Sequence, residues 1–207
     1  MTAHSASTSL VLDALLKRSS TDALVGPVPQ GDVLYRILSA GLRAPDHGKL
    51  RPWRYVVISG EAREALAQEV HAAIERQEPD LPAAKKEKRV GRFRSMPMII
   101  GLGMHLHPDH KIPLEEQHMS VAAGAMNVLN ALSLEGFGGV WVSGPFCEDR
   151  EFLQHLGLET PHRLAGFLFV GTPQHPDHVT RRPDIEDYMA IWQGAGSASF
   201  AADRSKN

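Results

Sequence analysis

The sequence predicts an α+β domain in which helices lie over a single central sheet, with one long buried helix at its centre. Three observations lead there. Stretches with apolar residues at helical spacing are interspersed with short β-branched runs. The stretch Glu115 to Glu135 is apolar or small on every side from Met119 onward, as befits a helix buried all round. No repeat and no shift of composition marks a second domain in the 207 residues.

The elements follow in order. Thr8 or Ser9 can cap a short helix carrying Leu12, Leu15 and Leu16. Gly26 to Pro29 interrupts regular structure. Asp32 caps a second helix with Leu34, Ile37, Leu38 and Leu42 on one face, and Pro45 stops it. Tyr55 to Ile58 reads as a strand. A charged helix after Gly60 runs through Leu66, Val70 and Ile74, and Met98 to Met104 is a second strand. The long helix then leads to strands at Gly138 to Ser143 and Leu164 to Gly171. Residues 1–9 and 194–207 read as flexible tails around a domain spanning 10–193.

Composition excludes several functions. A net charge of -2 offers no global field for nucleic acid or an anionic membrane. No apolar run is long enough to span a bilayer, and the N-terminal stretch, with Asp13 inside it, lacks the pattern of a signal peptide. One cysteine, Cys147, permits no internal disulfide and suits a reducing compartment. The expected location is the cytoplasm.

Three segments are more specific: Lys-Arg-Ser-Ser at 17–20, Ala-Gly-Leu-Arg-Ala-Pro-Asp-His-Gly-Lys-Leu-Arg-Pro-Trp at 40–53, and Glu-Gly-Phe-Gly-Gly-Val-Trp-Val-Ser-Gly at 135–144. With the long helix between them and Gly171-Thr172-Pro173 after the last strand, this ordered set resembles the nitroreductase family, in particular its compact branch. The resemblance runs from about Leu10 to Gly171 and implies a nitroreductase-like fold, a homodimer, and FMN held between subunits.

That resemblance assigns FMN contacts to Arg18, Ser19, Ser20, Trp141, Val142, Ser143 and Gly144 of one subunit, and to Arg43 and His47 of the other. A guanidinium such as that of Arg18 suits the flavin phosphate or a pyrimidine carbonyl. A backbone N–H of Ser143 or Gly144 would face flavin N5, with Gly138 and Gly139 allowing close approach. A nicotinamide contact is implied along Ala131, Leu132, Ser133, Leu134, Glu135 and Gly136. The activity implied is hydride transfer from NAD(P)H through the flavin to a nitroaromatic, quinone or similar small electron acceptor, with no protein nucleophile and no metal. Ser19 stands where the family usually has a second arginine, and Lys17 can compensate.

Simpler readings stand beside these. Asp46 can make the turn that carries His47, Trp53 can be a core anchor, and the glycines at 136, 138 and 139 can end a helix and start a strand. Lys85 to Arg94 reads as a solvated helix face, and Cys147 as a small buried residue. Arg181 and Arg182 stay outside the site. Two rival functions remain at this point. One is a zinc hydrolase using His105-Leu106-His107-Pro108-Asp109-His110, with His175-Pro176-Asp177-His178 as a second cluster. The other is a non-catalytic FMN-binding or sensing protein.

Overall fold

The β-branched and aromatic runs pair into one antiparallel sheet. The computed structural model describes residues 3–176 and 180–201, with side chains from residue 10 onward. The strands are β1 (Leu24–Val25), β2 (Trp53–Ser59), β3 (Met98–His105), β4 (Gly138–Val142) and β5 (His162–Pro173). β5 is the hub: it pairs with β1, β3 and β4, while β2 lies beyond β3. The helices are α1 (Ala3–Lys17), α2 (Gly31–Gly41), α3 (Ala62–Gln77), α4 (Ala83–Ser95), α5 (Leu114–Leu134) and α6 (Arg150–His155). The chain divides into two units, Met1–Asp177 and His178–Asn207. The second contains a 3-10 turn, Ile185–Asp187, and exposes Ile185, Tyr188, Met189, Ile191 and Trp192.

Alternation along β5 sends Phe167 and Phe169 to one face of the sheet and Leu168 and Val170 to the other, all fully buried. α3, α4 and α6 cover the first face. There Phe93 of α4 meets Phe146, Phe167 and Phe169 edge-on, with ring centroids 5.8, 5.4 and 5.1 Å away. Such edge-to-face pairs add about 0.5–1.5 kcal/mol each beyond area burial. α2 and α5 cover the second face through Ile37, Ala125, Val128 and Leu132.

The basic stretch is a helix face, as expected. Val90 and Phe93 of α4 are buried, and Lys86, also buried, bonds Glu75 Oε2 (2.8 Å) and the Pro79 carbonyl (2.9 Å). Arg89, Arg92 and Arg94 pair with Glu78, Asp22 and Glu64. These pairings give the basic charges a structural use.

Four expectations change. α1 starts at Ala3, ahead of Thr8 and Ser9, and Leu12 and Leu16 stay exposed. Gln30, without a side-chain hydrogen bond, occupies the N-cap of α2, so Asp32 lies in the first turn. There its charge still favours the helix N-terminus. α5 buries one side only: Met119, Ala122 and Met126 are exposed on the other. The elements β1 and α6 were not expected, because two and six residues are too short to show a period.

Asp149 fastens α6 to α3. Its carboxylate accepts from Arg76 Nη2 (2.7 Å) and Nε (2.9 Å), from Gln77 Nε2 (3.1 Å), and from the Phe152 N–H (2.9 Å) as N-cap. Arg76 holds this buried carboxyl well below the usual range, against the opposing effect of burial. A depressed acid contributes stability that is complete above its unfolded value near 4 and fades as pH falls toward the folded value. Asp149→Ala should cost about 3 kcal/mol at neutral pH, read by urea denaturation. The difference from wild type should shrink below about pH 4; a difference that held at acid pH would refute the charge contribution.

Candidate functional site

Two groups of the expected site residues lie at separate places in the chain. The first gathers at β4. Arg18, Ser19 and Ser20 follow α1 directly, and the next residue, Thr21, donates its N–H to the Gly139 carbonyl (3.3 Å). Arg18 and Ser19 are half-buried, Ser20 exposed. From Gly139 the strand runs four residues to Ser143, a span of about 13 Å. Trp141 Nε1 donates to the Ala165 carbonyl (3.0 Å), so the indole N–H serves the sheet. Val142 packs in the core, Ser143 is exposed, and Gly144 precedes the 3-10 turn Pro145–Glu148.

The two glycines that open this strand are tightly packed. A Cβ on Gly138 would meet Pro173 at 2.7 Å, and one on Gly139 would meet the Phe169 carbonyl at 2.9 Å. Strand packing by itself requires both positions to be bare. Gly136, at φ 81°, closes α5: its N–H bonds the Ser133 carbonyl (3.2 Å) while Phe137 N–H reaches Leu132 O (2.8 Å). That is a Schellman cap, requiring a left-handed residue.

The second group sits beside the N-terminal half of α5. Arg43 is exposed in the turn after α2. His47 Nδ1 lies 2.7 Å from Glu116 Oε2, and Asp46 makes the turn by accepting from Leu50 N (3.0 Å) and Arg51 N (2.9 Å). Lys49 and Arg51 have positive φ, 56° and 50°, rare for side-chain-bearing residues and costing of order 1–3 kcal/mol each. Ser120 Oγ ties the turn to α5 through the Pro45 carbonyl (2.7 Å). Trp53, a buried anchor as expected, donates to the Ser120 carbonyl (3.0 Å). His47, Glu116, Met119 and Ala123 line an open pocket of about 290 Å³. Glu116 is not foreseen; as one of two acids in the first turn of α5 it gives no signal of pairing with a residue 69 positions earlier.

The segment 131–136, the end of α5 and its cap, is mixed. Leu132 is wholly buried within the subunit. Leu134, Glu135 and Gly136 are exposed, Ala131 and Ser133 half-exposed, and Glu135 pairs with Arg36 at 2.9 Å.

The histidine motif is a clamped loop. Gln117, buried in α5, accepts from His107 N–H (2.9 Å) and donates to the carbonyls of His107 (3.1 Å) and Ile112 (3.0 Å). His110 Nδ1 accepts from Ile112 N–H (3.1 Å), and His105 Nδ1 lies 3.1 Å from His162 Nε2. Burial, with Arg54, His162 and His107 nearby, holds the His105 pKa below its usual value. Among the described residues no three His, Cys, Asp or Glu side chains are grouped to hold a metal ion. The second cluster falls partly outside the described residues, at Asp177 and His178. Cys147 is buried, which pushes its thiol up to about 11 and leaves it inert at neutral pH.

A single antiparallel sheet with helices on both faces, and a long helix exposed along one side, defines an α+β class far from the strand-rich hydrolases. The Nitroreductase family profile matches residues 17–172, and the chain belongs to that family of oxidoreductases. It is 35% identical over 167 residues to the provisionally named NAD(P)H nitroreductase YdjA of Escherichia coli K12, spanning 79% of this chain and 88% of that one. A nitroreductase-like family protein from Bacillus cereus superposes with a TM-score of 0.75 at 24% identity, covering 89% of this chain and 96% of that chain. A nitroreductase from Bacteroides fragilis with bound FMN superposes at 0.69 and 18% identity, covering 88% and 98%. The fold and family overturn the hydrolase alternative. Among the described residues no helix is long and apolar enough to cross a membrane.

Proposed function

We propose that the protein is an FMN-dependent oxidoreductase working as a homodimer, with each flavin site built between subunits. It carries reducing equivalents from NAD(P)H to a small acceptor such as a nitroaromatic or quinone, in the cytoplasm. One observation carries this reading: the site residues form two half-sites, and the second adjoins a helix face left exposed although small and apolar. Met119, Ala122, Ala123 and Met126 make that face, and Leu12 and Leu16 of α1 are exposed as well. A second copy covering α5 would supply Arg43 and His47 to the partner's Arg18 and Ser143. The name of the YdjA relative and the FMN in the B. fragilis structure support the donor and the cofactor.

The residues present fit the cofactor. Donors at Arg18 to Ser20, joined to the start of β4 through Thr21, and the exposed Ser143 just past its other end would suit a molecule with a phosphate at one end and a flat ring at the other. When bound, FMN supplies the redox chemistry by taking a hydride at N5. Arg18 offers paired donors to the phosphate or a pyrimidine carbonyl, Ser19 and Ser20 add hydroxyls, and Ser143 or Gly144 presents a neutral N–H. His47, oriented by Glu116, and Arg43 complete the site from the partner. Leu134 to Gly136 offer an exposed turn for the nicotinamide nucleotide.

The absorption spectrum of the purified protein, with acid release and mass identification of any chromophore, tests the cofactor. Arg18→Ala should retain less than about a tenth of the wild-type FMN, since a charge-assisted bond contributes about 1.5–3 kcal/mol, while remaining a dimer by light scattering. Full flavin content in that variant would sink the assignment.

A further inference from the structure

A second pocket, whose lining shares no residue with the proposed flavin site, lies between the loop after β3, the first turns of α5 and the start of β5. It holds about 340 Å³, within the range of small-molecule sites. Its floor is apolar: Met104 and Leu106 are buried, and Leu114 is half-buried beside them. Three exposed groups, Arg163, His118 and Glu148, form its rim.

Arg163 is the informative residue. Arg36, Arg76, Arg89, Arg92 and Arg94 each hold an acidic partner. Among the described residues Arg163 holds none, although Glu148 lines the same pocket. Cross-strand register sets Arg163 opposite Met104, so the guanidinium emerges directly from the apolar floor. An unpaired fork of donors above an apolar cavity matches a flat apolar molecule bearing one carboxylate. Glu148 on the same rim disfavours a second negative charge.

We propose that this pocket binds a small aromatic monocarboxylate, with its ring over Met104, Leu106 and Leu114 and its carboxylate on Arg163. The ligand is recognised by one charge and one apolar face, with His118 as an additional donor.

Calorimetric titration of the purified protein with 2-naphthoate and its neutral counterpart 2-naphthamide tests this, with flavin absorption recorded in parallel. Wild type should bind naphthoate. Arg163→Gln, at an exposed position, should weaken naphthoate at least about tenfold and leave naphthamide within about twofold, since a tenfold change is about 1.4 kcal/mol. Leu114→Trp, filling the floor, should abolish binding of both without changing the thermal midpoint by more than a few degrees. No naphthoate binding at millimolar concentration would overturn the proposal. So would naphthoate affinity indifferent to Arg163→Gln; if it came with a shifted flavin spectrum, the ligand would be on the flavin.

Discussion

Met126→Glu should give a folded monomer that has lost most of its FMN. Met126 is 43% exposed in the isolated subunit, so the substitution leaves the subunit core intact and circular dichroism should not change. In a two-fold dimer formed through α5 the same helix face appears twice, and the variant brings two carboxylates into one apolar contact. The effective penalty for removing an ion from water is several kcal/mol per charge, and 1.4 kcal/mol is a factor of ten. The dimer constant should therefore weaken at least about a thousandfold. Flavin should fall with it, because the proposed site takes Arg43 and His47 from the partner. Sedimentation reads the first effect and the visible spectrum the second. A monomer that keeps its flavin would refute the shared site while leaving the helix interface standing. A flavin-loaded dimer would refute both.

The same helix shows how far the sequence is legible. The all-round apolar character of Met119 to Leu132 identified α5 as central, but no property of the sequence distinguishes burial by the chain itself from burial by a second copy. Half of that signal is therefore realised inside one subunit, at Val121, Ala125, Val128 and Leu132, and half is left at Met119, Ala122 and Met126. The strands β2 to β5 were legible because each is a compact β-branched or aromatic run. Only Asp149, a good N-cap type ahead of Glu151, could have announced α6.

The family was legible from an ordered set of motifs, and the proposed site residues are poorly legible one by one. Arg18 and His47 have ordinary local explanations, and only their order along the chain gave them meaning. Gly138 and Gly139 carry a second requirement that the motif does not display: strand packing leaves no room for a Cβ at either position. Pairings across long separations, His47 with Glu116 or Gln117 with the histidine loop, leave no trace in spacing, since the fold alone brings them together.

Two glycines in helices should respond to substitution with opposite sign. In α5, a Cβ on Gly124 would lie 2.8 Å from Cδ1 and Nε1 of Trp53 and 3.0 Å from the Gly41 carbonyl of α2. Neither neighbour yields cheaply: Trp53 is buried and bonded to the Ser120 carbonyl, and the other is backbone. Helix propensity favours alanine over glycine by about 1 kcal/mol, while forcing extra atoms into a packed contact costs about 1–3 kcal/mol for a methyl-sized group. Packing should win narrowly for Gly124→Ala. For Gly124→Leu it should win outright, with a loss of more than about 4 kcal/mol from a total of about 5–15 kcal/mol. In α4, a Cβ on Gly91 meets nothing within 4 Å, so only propensity acts. Gly91→Ala should therefore stabilise by about 0.5–1 kcal/mol. Urea midpoints of the variants decide the matter. Were Gly124→Leu to unfold at the wild-type midpoint, α2 and α5 would not approach through bare backbone, and the turn carrying His47 would lose the support argued for it.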